Sequence, residues 1–191
     1  MVKRLTKLIV HALGLVLTAP AALLCGFGRI EPVFIFFAQS FAMVPGLPGD
    51  YLRVCYYVLT LRECHLNCRI SFGSFIAQSA TWIGPGAYIG AYCVIGSSRI
   101  GSRTQIASHV QVLSGKHQHE RDDQGRILGA DTKTFVPINI GENCWLGAST
   151  VIMADIGNGT TIGAGSVVTR PIPEGVVAVG SPAQVVKKAA V

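Results

Sequence analysis

The pattern of apolar and small residues in the C-terminal two-thirds of the chain has a period close to six. An aliphatic residue followed by a small one recurs at Ile70-Ser71, Ile76-Ala77, Ile83-Gly84, Ile89-Gly90, Ile95-Gly96, Ile100-Gly101 and Ile106-Ala107. After an interruption the pairs resume at Ile140-Gly141, Leu146-Gly147, Ile156-Gly157 and Ile162-Gly163. The period-two alternation of a β-sandwich strand is absent. Repeats of this kind predict a stacked, solenoid-like architecture.

A six-residue unit of this type is one short strand plus a turn, and three units close a triangular coil. The aliphatic residue points inward, and a small residue four positions later fills the remaining space, as at Ala87, Cys93, Thr104, Val110 and Ser166. The predicted fold is a left-handed parallel β-helix. Residues 70–112 and 138–170 make about four coils, and the short step from Ile152 to Ile156 is interpreted as a tightened corner.

The N-terminal third is unusually apolar. Neither residues 8–27 nor residues 32–49 contain Asp, Glu, Lys or Arg. Asp50 is predicted to cap a helix that runs to Leu61, with Arg53 on a separate face. One interpretation is a helical cap on the β-helix and on sister subunits. The other is an anchor that rests on or re-enters a membrane, because Pro20 and His11 interrupt a simple span.

These patterns divide the chain into three parts. We expect a membrane-associated helical segment over residues 1–66, with contact through residues 5–62. The β-helix is expected over residues 67–175 with an ejected loop at 113–137, and a tail follows at 176–191.

Composition excludes some function classes. The net charge of +6 is spread along the chain, and no basic run interleaved with aromatics indicates nucleic-acid binding. The six cysteines have neither disulfide nor zinc-finger spacing, which favours a reducing cytoplasm and no metal.

The polar loop that interrupts the repeat is the predicted seat of function, because loops ejected from a solenoid leave the stack intact. It contains His117 and His119, and His109 lies just upstream in the coil. From the residues alone, a histidine in such a loop can be a general base or a solvated surface group.

Two C-terminal motifs carry a family resemblance: Ile162-Gly163-Ala164-Gly165-Ser166-Val167-Val168-Thr169-Arg170 and Val179-Gly180-Ser181-Pro182-Ala183. With Gly147, they resemble the closing coils of the hexapeptide-repeat acyltransferase superfamily, and the chain is similar to its galactoside, maltose and exopolysaccharide O-acetyltransferases. The resemblance covers about residues 68–188. It implies a homotrimer with acetyl-CoA in the groove between adjacent prisms.

The resemblance also implies site residues. His117 is the expected general base and His119 the alternative, with Glu120, Asp122 or Asp123 orienting the imidazole; His109 stays unassigned. The implied acetyl-CoA contacts are Trp145, Gly147, Ala148, Ala164, Gly165, Thr169, Arg170 and Lys187. One departure is the corner Met153-Ala154-Asp155, which is shorter than usual for the family and leaves the acyl-chain length open.

The expected function is therefore transfer of acetyl from acetyl-CoA to a saccharide hydroxyl. The acceptor is expected to be a membrane-lipid-linked or exopolysaccharide precursor, at the cytoplasmic side of the inner membrane. Alternatives are a longer acyl-CoA or acyl-carrier-protein donor, a non-catalytic β-helix scaffold, and a γ-class carbonic anhydrase with a three-histidine zinc site.

Overall fold

The chain forms three helices followed by a triangular prism of short strands. The computed structural model describes residues 2–114, 121–129 and 135–189. The helices are α1 (Val2–Leu24), α2 (Glu31–Ala42) and α3 (Gly46–Thr60). All strands follow α3, so the helices lie at the end of the prism where the first coil begins.

The prism has three faces, each a stack of parallel strands. Face 1 contains β1 (Glu63–Cys64), β4 (Trp82–Ile83), β7 (Ser98–Ile100) and β10 (Ile138–Ile140). Face 2 contains β2 (Arg69–Ile70), β5 (Tyr88–Ile89), β8 (Gln105–Ile106), β11 (Trp145–Leu146), β13 (Thr161–Ile162), β15 (Val176–Gly180) and the antiparallel β16 (Ala183–Lys188). Face 3 contains β3 (Phe75–Ile76), β6 (Val94–Ile95), β9 (Gln111–Val112), β12 (Val151–Ile152) and β14 (Val167–Val168).

The predicted left-handed parallel β-helix is confirmed, but the predicted number of coils is wrong. The solenoid has about six turns rather than about four. The first coil begins earlier than the repeat suggested, at Glu63. The last coils contact face 1 only through single bridges at Ile156 and Ile172, after corners too short to keep the period of six.

The short corner at Met153-Ala154-Asp155 is closed by hydrogen bonds to the coil above. The Asp155 carboxylate accepts from the Asn139 backbone N–H at 2.8 Å and from its side-chain amide at 3.1 Å. The Ile156 N–H in turn donates to the Asn139 carbonyl. The Asp155 bonds therefore sit beside the single parallel bridge that Ile156 makes with Ile140.

The aliphatic residues of the repeat stack in register inside the prism. On face 2, Ile70, Ile89, Ile106, Leu146 and Ile162 follow one another from coil to coil, and all are essentially inaccessible to solvent. The small residues predicted to fill the interior are buried as well. Close packing of this column sets the spacing and register of the coils.

The helices close the open end of the prism through a buried arginine. Arg53 of α3 is fully buried, and its Nε donates to the Ile70 carbonyl of the first coil at 2.8 Å. Its Nη1 reaches carbonyls at the end of α2, at 2.9 Å for Phe41 and 2.8 Å for Val44. Its Nη2 pairs with Asp50 at 2.6 Å. One guanidinium therefore joins α2, α3 and the β-helix.

One sequence-based expectation about α3 is wrong. The helix begins at Gly46 rather than after Asp50, so the Asp50 side chain is not its N-cap. The separate face expected for Arg53 lies in the core, where the guanidinium donates to the carbonyls that end α2. The Asp50 carboxylate is shared between Arg53 and Arg69, with Arg69 Nε at 2.8 Å.

Helix α1 buries its small and polar side and exposes its apolar side, which is the reverse of an ordinary surface helix. Its protein-facing side is small or polar, with His11, Gly14 and Thr18 against α3. Its outer side carries exposed apolar residues at Leu5, Leu8, Ile9, Leu13, Val16, Leu17, Leu23 and Leu24. The residues 5–24 of this helix are long and apolar enough, by length and composition, to span a membrane.

Replacing Arg53 with Met should destabilise the protein by about 3–5 kcal/mol, because several buried carbonyls and a partly buried carboxylate lose their partner. The matched control is Arg69→Met, which removes the exposed partner of the same Asp50 and should cost less than about 1 kcal/mol. Thermal unfolding of both variants measures the difference. Equal midpoints would show that Arg53 does not hold the cap to the coil.

Candidate active site

The corners between faces 2 and 3, called edge 2–3, form a column of exposed side chains. Tyr92, His109 and Ser149 occupy equivalent corner positions in successive coils, and all have left-handed backbone with φ of 58°, 61° and 59°. The His109 ring stacks on Tyr92 with centroids 5.3 Å apart. Phe72 meets the same tyrosine edge-on at 5.6 Å. The sequence assigns no role to His109, and this geometry places it on the surface of a stacked column.

Four of the expected cofactor residues continue the same column. Gly147 and Ala148 lie at edge 2–3 in one coil, and Ala164 and Gly165 lie there in the next. The Gly165 N–H donates to the Ala148 carbonyl at 2.8 Å. A side chain at Gly147 would collide with the Ala164 backbone nitrogen, whereas one at Gly165 would meet open space. Ala148, Ala164 and Gly165 are exposed and Gly147 is buried, so the exposed surface at this edge has little side-chain bulk.

The remaining expected cofactor residues lie elsewhere. Thr169 and Arg170 are at the corner between faces 3 and 1, called edge 3–1, where they line a cavity of about 260 Å³ with Pro182 and Val185. Trp145 is on the outside of face 2 and is 60% exposed, so it is not packed into a corner. Lys187 is exposed on β16. The expected set is thus divided between two edges and one face.

The interrupting loop leaves and rejoins the prism at one point of edge 3–1. The Ser97 N–H donates to the Ser114 hydroxyl at 2.8 Å where the loop leaves. The Ile138 N–H donates to the Ser97 carbonyl at 3.1 Å where it returns. His117, His119 and Glu120 lie outside the described residues. Their loop is nevertheless anchored on the same edge as Arg170, about two coil spacings, or about 10 Å, away.

Residues 121–127 of the loop are held together by hydrogen bonds among themselves. Arg121 and Ile127 form an antiparallel bridge. The Asp122 carboxylate accepts from the backbone N–H groups of Gln124 and Arg126, both at 2.9 Å, and from Arg126 Nε at 2.7 Å. The Arg126 side chain and these backbone donors lower the pKa of Asp122. Because its oxygens are committed within the loop, Asp122 is a poor choice for orienting a histidine.

Face 1 carries an arrangement that the sequence did not reveal. Trp82 is sandwiched between two guanidinium groups, with Arg62 Cζ 5.0 Å and Arg99 Cζ 4.3 Å from its ring. The strand pairing brings Arg99 beside Asn139, directly after the loop rejoins the prism. This stack runs from the helical cap towards the loop. Residues far apart in sequence form it: Trp82 and Arg99 are outward residues of successive face 1 strands, and Arg62 immediately precedes β1.

The cysteines do not form a reactive or metal-binding centre in the described part of the chain. The Sγ atoms of Cys64 and Cys68 are 3.7 Å apart. The contact with Cys68, together with burial, raises the pKa of Cys64 well above its usual value. Burial raises the pKa of Cys55 to about 11. Among the residues described, no group of three His, Cys, Asp or Glu side chains could hold a metal ion.

Known proteins match this architecture. Residues 137–170 match the family model described as a hexapeptide repeat of succinyl-transferase. This stretch of the chain therefore has a hexapeptide repeat. The chain resembles the acyltransferases of that superfamily, as the sequence motifs implied.

A relative and two solved structures extend the comparison. A provisionally assigned acetyltransferase of Schizosaccharomyces pombe is 37% identical over 91 residues, which are 47% of this chain and 42% of that protein. The chain thus spans less than half the length of this curated relative. The polySia specific acetyltransferase NeuO is 27% identical with a TM-score of 0.53, over 65% of this chain and 59% of that one.

The second structure is a mutant of AntD, an N-acyltransferase from Bacillus cereus, in complex with dTDP-4-amino-4,6-dideoxyglucose and coenzyme A. It is 21% identical with a TM-score of 0.52, over 65% of this chain and 71% of that one. At this identity the likeness shows that the two proteins share a fold.

Proposed function

We propose that this protein is an acyltransferase that moves acetyl from acetyl-CoA to a hydroxyl of a saccharide. The observation that carries the proposal is a hexapeptide-repeat prism whose one long loop, with two histidines, is anchored on the edge that also bears Arg170. Similarity to acetyltransferases supports the reaction class. A CoA thioester is the proposed donor because the closing coils carry the family's motifs, and AntD, which shares the fold, is in complex with coenzyme A.

Face 3 is the proposed wall between subunits of a homotrimer. Its outward positions are Phe75, Val94, Gln111, Val151 and Val167, so four of the five are apolar and each is partly exposed in the single chain. The outward positions of faces 1 and 2 are instead largely polar or charged. Face 3 is bordered by edge 2–3 and edge 3–1, so a neighbouring prism against it would form a groove flanked by the candidate residues.

The proposed acetyl-CoA site follows from this groove. Backbone groups at Gly147, Ala148, Ala164 and Gly165 contact the pantetheine along edge 2–3. The phosphates of acetyl-CoA receive cationic contacts from Arg170 and Lys187 and a polar contact from Thr169. The exposed Trp145 side chain is available to stack on the adenine base or on a sugar ring. The alternative donor is a longer acyl-CoA or an acyl-carrier protein. Both short corners, residues 153–155 and 169–171, lie on edge 3–1 where the loop is anchored, and this departure from the family leaves the acyl-chain length open.

The proposed reaction uses one loop histidine as general base. His117, or His119 in its place, removes the proton of the acceptor hydroxyl while the oxygen attacks the thioester carbonyl carbon. Backbone N–H groups stabilise the oxyanion of the tetrahedral intermediate. The intermediate collapses by breaking the carbon–sulfur bond, and the imidazolium returns its proton to the departing thiolate. The products are the acetylated saccharide and free coenzyme A.

We expect His117→Ala to lower kcat for acetyl transfer by about 10²–10⁴-fold, because the weakly acidic hydroxyl loses its base. His119→Ala and His109→Ala are measured beside it with a panel of acyl donors and of free and lipid-linked sugars. A smaller loss in His119→Ala assigns the base to His117, and the reverse result assigns it to His119. Loss in His109→Ala alone would move the base to edge 2–3. Full activity in all three would contradict general-base catalysis by these histidines.

The proposed homotrimer leads to a separate prediction. Val151→Glu with Val167→Glu should convert trimers to monomers, because charges buried in an interface without partners cost several kcal/mol. Gln105→Glu with Thr161→Glu adds the same charge to the outside of face 2 and should leave the trimer intact. Sedimentation velocity measures both. An intact trimer in the face 3 variant would show that this face is not the interface.

The apolar outer side of α1 supports a membrane location for the proposed enzyme. A row of exposed leucines, together with Ile9 and Val16, runs along a helix of about 34 Å. The opposite side of α1 packs on α3, which itself packs on the prism. This arrangement favours a helix lying in the interface with one face in lipid, at the cytoplasmic side of the inner membrane. The acceptor is then a lipid-linked or exopolysaccharide precursor.

Leu13→Gln with Leu17→Gln should release the protein from phospholipid vesicles and leave its thermal midpoint nearly unchanged, because both side chains are exposed. Ile127→Gln with Val136→Gln removes equally exposed apolar residues from the loop region and should not affect binding. Vesicle co-sedimentation gives the bound fraction. If wild-type protein does not sediment with vesicles, the membrane location is wrong.

A further inference from the structure

A cavity of about 330 Å³ lies where α1, α3 and the first coil meet. It lies at the helical end of the prism, and none of its lining residues belongs to the interrupting loop. Lys7, His11, Tyr51, Asn67 and Arg69 supply its polar lining. These side chains come from α1, α3 and the turn into β2, so the cavity exists only because the helices cap the prism.

The cavity is cationic despite one carboxylate in its wall. Both oxygens of Asp50 are occupied, Oδ1 by Arg53 at 2.6 Å and Oδ2 by Arg69 at 2.8 Å. Lys7 has no carboxylate partner among the described residues. Of the charged residues that line the cavity, Lys7 and Arg69 are cationic and Asp50 is anionic, and Asp50 also pairs with the buried Arg53 outside the lining, so positive charge is in excess.

His11 lies in the wall of this cavity. The residue is 8% exposed, and its ring meets Tyr51 edge-on, with centroids 5.0 Å apart. Burial lowers the pKa of His11, the charge of Lys7 lowers it further, and backbone hydrogen bonds at Lys7 and Leu66 act in the opposite direction. These contacts hold the ring beside Lys7 in the cavity wall.

The remaining wall of the cavity is apolar and lies beside the outer face of α1. Leu47 is 65% exposed and Leu66 is 37% exposed, and Val54 lies deeper. Lys7 is followed directly by Leu8, which is 67% exposed on the apolar row of α1. A ligand with an anionic head and an apolar tail would satisfy both parts of this lining.

We propose that this cavity binds the phosphate head group of a lipid, with the tail leaving over Leu47 and Leu66 along α1. The inference deepens the proposed function and rests on its membrane location. A phosphate accepts hydrogen bonds from a lysine and an arginine at once, and its charge offsets theirs. The lipid so held is either a carrier of the acceptor saccharide or an anionic lipid of the surface.

The test is equilibrium binding of soluble short-chain phosphatidic acid to the full chain, measured by calorimetry. Short-chain phosphatidylcholine and inorganic phosphate are the other two probes. Phosphatidic acid should bind at least about tenfold more tightly than either, a difference of about 1.4 kcal/mol. Lys7→Gln with Arg69→Gln should lose about tenfold or more of that affinity. The control, Arg103→Gln with Arg126→Gln, removes two exposed ion-paired arginines elsewhere and should bind within about twofold of wild type.

Three results would overturn the cavity site: equal binding of the two lipids, inorganic phosphate binding as tightly as phosphatidic acid, or equal loss in the variant and its control. Thermal midpoints of both double variants separate lost binding from lost folding. Because the probes are soluble, the result does not depend on vesicle binding or on acetyl transfer. Failure of this inference is therefore distinguishable from failure of the proposed function.

Discussion

The free edge of the first coil is the constraint on which this structure depends. A solenoid of parallel strands ends in backbone groups with no next coil to pair with, and buried groups of this kind must find partners. Here the helices supply them. The Arg53 guanidinium donates to the Ile70 carbonyl, the Tyr57 hydroxyl accepts the Ile76 N–H at 2.9 Å, and the Gly73 N–H donates to the Ala42 carbonyl at 2.9 Å. These backbone groups of the first coil therefore have hydrogen-bond partners in the helical segment.

The way in which the helices cap the first coil also accounts for the apolar outer side of α1. The polar groups of the helical segment that can bond, including Arg53 and Tyr57, are used against the prism and against the end of α2. The outer side of α1 carries exposed leucines together with Ile9 and Val16. The two interpretations of the N-terminal third are therefore compatible, because one segment caps the β-helix with its inner side and presents an apolar outer side.

The repeat was predictable because its signal is local and periodic, whereas the errors arose where tertiary contacts decide. Ile172 follows a corner of three residues, as Ile156 does, so a repeat count that stops at residue 170 misses the last coil. Arg53 has the sequence pattern of a surface residue, and only the carbonyls ending α2 explain its burial. The break in the repeat located the loop, but it could not show that Ser97 holds both loop ends. The Trp82 stack joins β4, β7 and the residue before β1, and it has no linear motif.

The position of the candidate residues argues for face 3 as the functional surface. Gly165 and Arg170 are close in sequence, yet they lie at opposite borders of that face, since β14 crosses it between them. A single ligand that contacts both must cross face 3 or the groove beside it. The outward side chains there are mostly apolar, so they offer few polar contacts. Under the proposed homotrimer, specific recognition would come from the two edges, from the loop anchored at Ser97, and from the second chain that the proposal packs against the same face.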